Sequence, residues 1–336
     1  MGIWGYALGY FLSYAPYSAL TAAMSHGILP GQRHFAGLEL LPLSALASMV
    51  GMFIYLSVAG WWKYASRKTV LGVSLPMPGR WTFLSGLCSA AIILTTTMAY
   101  TFDGVSILFM MVLMRGGVLV TAPLVDVLSG RKVRWESAAA LALSLGAVCL
   151  SLLGGSDYRL SWVAGIDIAI YLCSYFVRMR FMSRLAKSDD PNASRRYFVE
   201  EQMVATPAAV LLLVCIALAA HSLPATSGAA TVALLVRQGF AEAAGPALGW
   251  LLLIGFFSQG TGVFGALIML DKRENSFCMP VNRASSVLAG VVASYALAFW
   301  LGQSHPGTIE LVSAALLIVA ILMLSLPPLF RKKVRT

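Results

Sequence analysis

The chain is predicted to be an all-α polytopic membrane protein, with ten transmembrane helices in two inverted five-helix repeats and both termini cytoplasmic. Three observations carry this expectation. Of 336 residues, 59% are hydrophobic and only 11% charged, and mean hydropathy is +0.79, whereas soluble proteins carry about a quarter charged residues. Ten apolar runs follow one another along the chain, and the first five resemble the second five.

The runs fall at 3–25, 37–62, 81–101, 104–128, 135–154, 160–182, 197–220, 247–270, 275–301 and 308–330. Each matches the roughly 17–25 apolar residues that a bilayer-crossing helix needs. The eight tryptophans, Trp4, Trp61, Trp62, Trp81, Trp135, Trp162, Trp250 and Trp300, all stand near a predicted helix end. Headgroups favour amphipathic rings at that level. No basic segment precedes the first run, so it is expected to stay as a span and not be cleaved as a signal.

Net charge is +10, but its distribution argues against nucleic acid. With a cytoplasmic N-terminus, the inner loops hold Lys63, Arg67, Lys68 and Arg80, then Arg131, Lys132 and Arg134. They also hold Arg178, Arg180, Arg184, Lys187, Arg195 and Arg196, then Lys272 and Arg273, and last Arg331, Lys332, Lys333 and Arg335. Only Arg33, Arg159 and Arg237 fall in outer loops. This is the positive-inside asymmetry. With short loops it points to a bacterial inner membrane, and the surplus adds attraction to anionic headgroups.

Two basic residues remain, Arg115 and Arg283, and the halves relate them. "WTFLSGLCS" from Trp81 lines up with "WLLLIGFFS" from Trp250, and one deletion later Asp103 meets Asp271, Met111 meets Met279 and Arg115 meets Arg283. "ESAAALALSLGAVCLSL" from Glu136 answers "ELVSAALLIVAILMLSL" from Glu310, "YFLSY" from Tyr10 answers "YLCSY" from Tyr171, and "FAGLE" ending at Glu39 answers "YFVEE" ending at Glu201. The order is kept throughout. Residues 1–156 are therefore one repeat and 157–336 the other. Because five is odd, the second enters the membrane from the opposite side, an arrangement that places substrate near the midplane between the halves.

Ten spans in two inverted halves resemble the drug/metabolite transporter superfamily, which includes EamA-type carriers, nucleotide-sugar transporters and triose-phosphate translocators. The resemblance covers nearly the whole chain and rests on architecture. It implies that spans 1–4 and 6–9 surround a cavity while spans 5 and 10 lie peripherally. The near absence of polar side chains in the middles of spans 5 and 10 agrees.

Arg115 interrupts the apolar run "FMMVLMRGGVLVTAPL" about eleven residues into span 4, roughly 16 Å deep. Arg283 lies about eight residues into span 9, roughly 12 Å from the opposite face. An arginine at mid-helix costs about 3 kcal/mol on insertion scales, so each needs a hydrated cavity, a substrate anion or an acidic partner. The acids inside or bordering spans are Glu39, Asp126, Asp167, Glu200 and Glu201, and none gives a clear one-to-one pairing with both arginines. Tyr10, Ser13 and Tyr14, with Tyr171, Ser174 and Tyr175, could face the same chamber. Phenols pair an apolar face with a hydrogen-bonding group. Ser89, Ser258, Gln259 and Asn282 add uncharged donors and acceptors. For any one of these, hydrogen bonding between helices is the alternative role. Glu39 and Glu201 stand at the outer and inner mouths, where they are either carboxylates at a membrane–water boundary or groups that serve as gates or carry a proton, and Asp167 lies near mid-depth.

Other chemistry is not expected. The chain has no phosphate loop, its four histidines lack metal-ligand spacing, and no nucleophile–base set stands out. All five cysteines fall within predicted spans, expected as buried small hydrophobes, so neither disulfide, metal nor cofactor is called for. The segment "RLAKSDDPNASRR" (184–196) reads as a cytoplasmic hinge. The expected function is secondary or facilitative transport of an anionic, phosphorylated or carboxylated small metabolite. Its alternatives are a flippase for a phosphate-bearing lipid and a polytopic membrane enzyme or sensor. Expected partners are that substrate, the bilayer and, as an open question, a second copy forming a homodimer.

Overall fold

In the computed structural model, the described residues are 2–27, 29, 33–70, 73–98, 107–153, 162–224 and 227–301, with 312, 315, 316, 318–320 and 323 near the C-terminus. The tenth predicted span therefore lies largely outside the described residues, as does the side chain of Arg115. The described chain is helical apart from one short hairpin. Its helices are α1 (Ile3–Ser25), α2 (Gly37–Val58), α3 (Arg80–Met98), α4 (Ile107–Leu128), α5 (Trp135–Leu153), α6 (Trp162–Phe181), α7 (Ala193–Ala219), α8 (Gly228–Ala241), α9 (Leu248–Met269) and α10 (Asn275–Leu301). Nine of these begin and end within a few residues of the first nine apolar runs. A helix satisfies its backbone groups internally, which makes it the natural conformation for a long apolar segment.

Among the described residues, four helical segments, Gly37–Val58, Trp162–Ala186, Ala193–Ala219 and Leu248–Met269, are long and apolar enough to cross a membrane. At 22 to 27 residues they reach about 33–40 Å. Exposed apolar side chains on several helices fit this setting. Trp162 is 85% and Phe299 84% exposed, and Leu8, Leu12, Val50 and Ile54 also turn outward. Together these features fit a membrane protein. Cys149, Cys173 and Cys215 are likewise exposed and only Cys278 is buried, so the expected burial of the cysteines is corrected: three sit on outward-facing, apolar helix surfaces.

Helix ends follow local chemistry. Gly27, Gly60 and Gly130 adopt φ of +63°, +63° and +71° just beyond α1, α2 and α4, the left-handed conformation that closes a helix and that glycine adopts without strain. After α4, Gly130 N–H donates to Val127 O at 3.0 Å and Arg131 N–H to Asp126 O at 2.9 Å. α2 starts with Glu39 reaching back to the Ala36 N–H at 2.8 Å. α10 is capped from another helix: Asp126 of α4 accepts from Asn275 N–H, Asn275 Nδ2, Ser276 N–H and Ser276 Oγ at 2.7 to 2.9 Å.

α1 packs on α9 and α10, α6 on α3 and α4, α2 on α9, and α7 on α3, while α2 meets α7 and α4 meets α10. Two elements were not expected. Strands β1 (Arg67–Val70) and β2 (Val73–Pro76) pair antiparallel, with Arg67 opposite Pro76 and Val70 opposite Val73, between α2 and α3. The short helix α8, N-capped by Ser227 Oγ at 3.2 Å from Ala230 N–H, lies between α7 and α9 and packs on α2 and α7.

Candidate functional site

Arg283 projects from α10 between buried neighbours, Asn282 at 7% and Ala284 at 0% exposure, yet is itself partly accessible. Its Nη2 donates to Tyr175 Oη at 3.1 Å and, weakly, to Tyr171 Oη at 3.4 Å. The guanidinium also lies 5.5 Å from the Tyr175 ring centroid. Nε is buried with no hydrogen-bond partner. Four residues apart on α6, the two phenols share one face, with ring centroids 4.8 Å apart. Opposite, Tyr10 of α1 is buried at 8%, its ring tilted 36° against that of Tyr14 with centroids 5.5 Å apart.

Close helix approach makes this possible. A Cβ at Gly265 of α9 would meet the Tyr10 ring at 2.9 Å and Asn282 Nδ2 at 3.3 Å, so only glycine admits both. Asn282 Nδ2 in turn donates to Gly265 O at 3.5 Å, a marginal length. Gly265 gave no signal in the sequence, where it is one of 30 glycines.

The acids proposed as neutralisers go elsewhere. Glu201 of α7 forms a two-pronged pair with Arg178, Nε to Oε1 at 2.6 Å and Nη2 to Oε2 at 3.0 Å. Its side chain is 0% exposed and that of Arg178 12%. Ser85 and Ser89 of α3 donate to the same Oε1 at 3.0 and 2.8 Å, and Tyr197 hydrogen-bonds Ser85. Arg178, assigned above to an inner loop, is thus corrected: it lies in the last turn of α6, buried in an ion pair. Ser89 serves that pair.

Glu200, next along α7, accepts from Ser66 N–H and Gly79 N–H at 3.0 Å each and from Thr82 Oγ1 at 2.6 Å. It ties both feet of the hairpin, and the start of α3, to α7. Glu39 pairs with Arg33, Nη1 to Oε2 at 3.0 Å and Nη2 to Oε1 at 3.2 Å, and Arg33 also reaches Glu242 at 3.3 Å. Hydrogen bonding to Glu39 raises the Arg33 guanidinium further above its ordinary value. With Asp126 committed to α10, only Asp167 is left over. It is 3% exposed and neither carboxylate oxygen has a partner.

Gln259 joins α9 to α2, accepting from Ser48 Oγ at 3.2 Å. Ser258 is half-buried beside it. The structure therefore gathers Arg283, Tyr171, Tyr175, Tyr10, Tyr14 and Asn282 and places Ser89, Gln259, Glu39 and Glu201 apart from them. Position 115 lies on α4, which packs against α10. Among the described residues no group of histidine, cysteine, aspartate or glutamate is arranged to hold a metal ion.

No family model matches the chain, and no curated protein does. A solved structure, described only as the crystal structure of a protein, aligns over 96% of this chain and 98% of its own with a TM-score of 0.54 at 17% identity. A likeness at that identity speaks to fold alone.

Proposed function

We propose that the chain is a ten-span carrier of two inverted repeats that moves an anionic small metabolite, phosphorylated or carboxylated, by alternating access around Arg283. The observation that carries this reading is a partly exposed arginine inside the helix bundle whose guanidinium has, among the described residues, only phenols as hydrogen-bond partners. Hydrogen bonds to a charged group contribute about 1.5–3 kcal/mol each, but phenols leave the charge in place. Where this chain neutralises a buried arginine it uses a carboxylate and two serines, as at Arg178. Arg283 keeps its positive charge and stays partly exposed, a combination suited to a substrate anion.

Helix packing supports the repeat. Exchanging α1 with α6, α2 with α7, α3 with α9 and α4 with α10 turns the α1–α9 contact into α6–α3, α1–α10 into α6–α4, and α2–α9 into α7–α3. The α2–α7 and α4–α10 contacts map onto themselves, and every one of these packings occurs. The hairpin and α8 occupy equivalent places, each after the second helix of its half. Positive-inside bias keeps both termini cytoplasmic even without Arg178, which fits a bacterial inner membrane.

A thermal-shift screen of the purified protein against phosphorylated metabolites, nucleotide sugars and polyprenyl phosphates tests the reading. Ligand at a hundred times Kd stabilises by about 2.7 kcal/mol, and Arg283→Gln should abolish that gain and the uptake of the same compound into proteoliposomes. Equal stabilisation and uptake in the variant, or no flux of any stabilising compound, would overturn it. Preference for the lipid phosphates would transfer the site to a flippase.

A further inference from the structure

Among the described residues, Asp167 is the buried acid whose burial nothing offsets: it is 3% exposed, both its oxygens lack a hydrogen-bond partner, and it joins no ion pair. Its place on α6 relates it to Arg283. Ala164, Asp167, Tyr171 and Ser174 form one buried stripe. Asp167 therefore stands one turn, about 6 Å of helix axis, from the tyrosine whose hydroxyl Arg283 contacts.

Among the described residues, the surroundings supply no compensating charge. α6 packs against α3 and α4. The titratable groups of α3 are Arg80, at its first residue, and Cys88, which lies near Arg178 and Glu201. Those of α4 are Asp126, engaged at the start of α10, and Arg115, whose side chain is outside the described residues. α6 itself adds Tyr171, Tyr175, outward-facing Cys173, and Arg178 with its neighbour Arg180 at the far end. An ionised carboxylate held in apolar surroundings without partners costs several kcal/mol, and one proton removes that charge.

We propose that Asp167 is a proton-binding site, and that the anion held at Arg283 crosses the membrane together with its proton. The exchange balances simply. The carboxylate takes a proton from water on one side, becomes a carboxylic acid, and returns the proton to water on the other, with no other bond made or broken. An anion held at Arg283 adds negative charge near Tyr171, one turn from Asp167; a like charge disfavours an ionised carboxylate, so anion and proton each promote binding of the other, and linkage makes this reciprocal. The coupling rests on the carrier reading; the proton site does not.

Infrared difference spectroscopy of the full-length protein in lipid nanodiscs, titrated without added ligand, tests the site through the carbonyl stretch of a protonated carboxyl group. The wild type should show a titrating band that is lost in Asp167→Asn, displaced in Asp167→Glu and kept in Arg283→Gln. A spectrum unchanged by Asp167→Asn, or no titrating band, would overturn the site, and the glutamate variant keeps the test readable if the asparagine variant misfolds. For the coupling, added inorganic phosphate at fixed pH should strengthen the band in the wild type and leave it unaltered in Arg283→Gln. No response to phosphate in the wild type would overturn the coupling, while the carrier reading is judged separately by uptake.

Discussion

Removing the charge of Glu201 should destabilise the protein more than any other single carboxylate change in the described residues. The carboxylate meets Arg178 through contacts of 2.6 and 3.0 Å and accepts from two serines. With charge centres near 4 Å apart and an effective dielectric of 20, attraction is about 4 kcal/mol. Glu201→Gln leaves the Arg178 cation buried and uncompensated, at an expected cost of about 3–5 kcal/mol. Arg178→Met should cost a similar amount by stranding a carboxylate that is 0% exposed. The double variant Arg178→Met with Glu201→Met removes both charges and should cost far less than the two together, because desolvation offsets much of the pair's attraction. Equilibrium unfolding by SDS in mixed micelles, followed by helical circular dichroism, gives the three values and their coupling. Single variants costing less than about 1 kcal/mol, as for an exposed pair, would refute the reasoning, as would additive losses in the double variant.

Two further outcomes are expected. Asp126→Ala removes the acceptor of four hydrogen bonds at the start of α10 and should cost at least the roughly 0.5–2 kcal/mol of an ordinary N-cap, measured by the same unfolding assay; an unchanged midpoint would contradict the capping role. Glu274 lies just before α10. Burial pushes its carboxyl up, but hydrogen bonds from Ser137 and Arg134 outweigh that and hold it below its ordinary value, about 4.3 when unperturbed. A depressed folded-state value means that its stabilisation is present above the unfolded value and disappears as pH falls through the folded one. The thermal midpoint of the wild type should therefore drop more steeply than that of Glu274→Gln on acidification below about pH 4, and parallel curves would exclude the effect.

Helix positions were legible because apolar runs of bilayer length have one economical conformation, and the bounds of α1 and α10 coincide with the runs read from the sequence. The hairpin and α8 were not, since strands of four residues and a helix of fourteen fall below the length at which hydropathy speaks. Within the site, the repeat related Tyr171 and Tyr175 to Tyr10 and Tyr14, and the first three of these face or adjoin Arg283. Arg178 escaped because it ends an apolar run and looks like a loop cation. Its partner Glu201 lies 23 residues on, across a turn whose geometry no periodicity reveals. Gly265 escaped for a related reason: its role is the room it leaves for two other helices.

Glu200 and Glu201 are consecutive on α7, so they point about 100° apart around its axis, one toward the feet of the hairpin and the other toward α6. A slip of α7 by a single residue would present each carboxylate to the wrong neighbour and strip both sets of donors at once. Sliding along the axis is thereby opposed from two sides at once, by the hairpin and by α6.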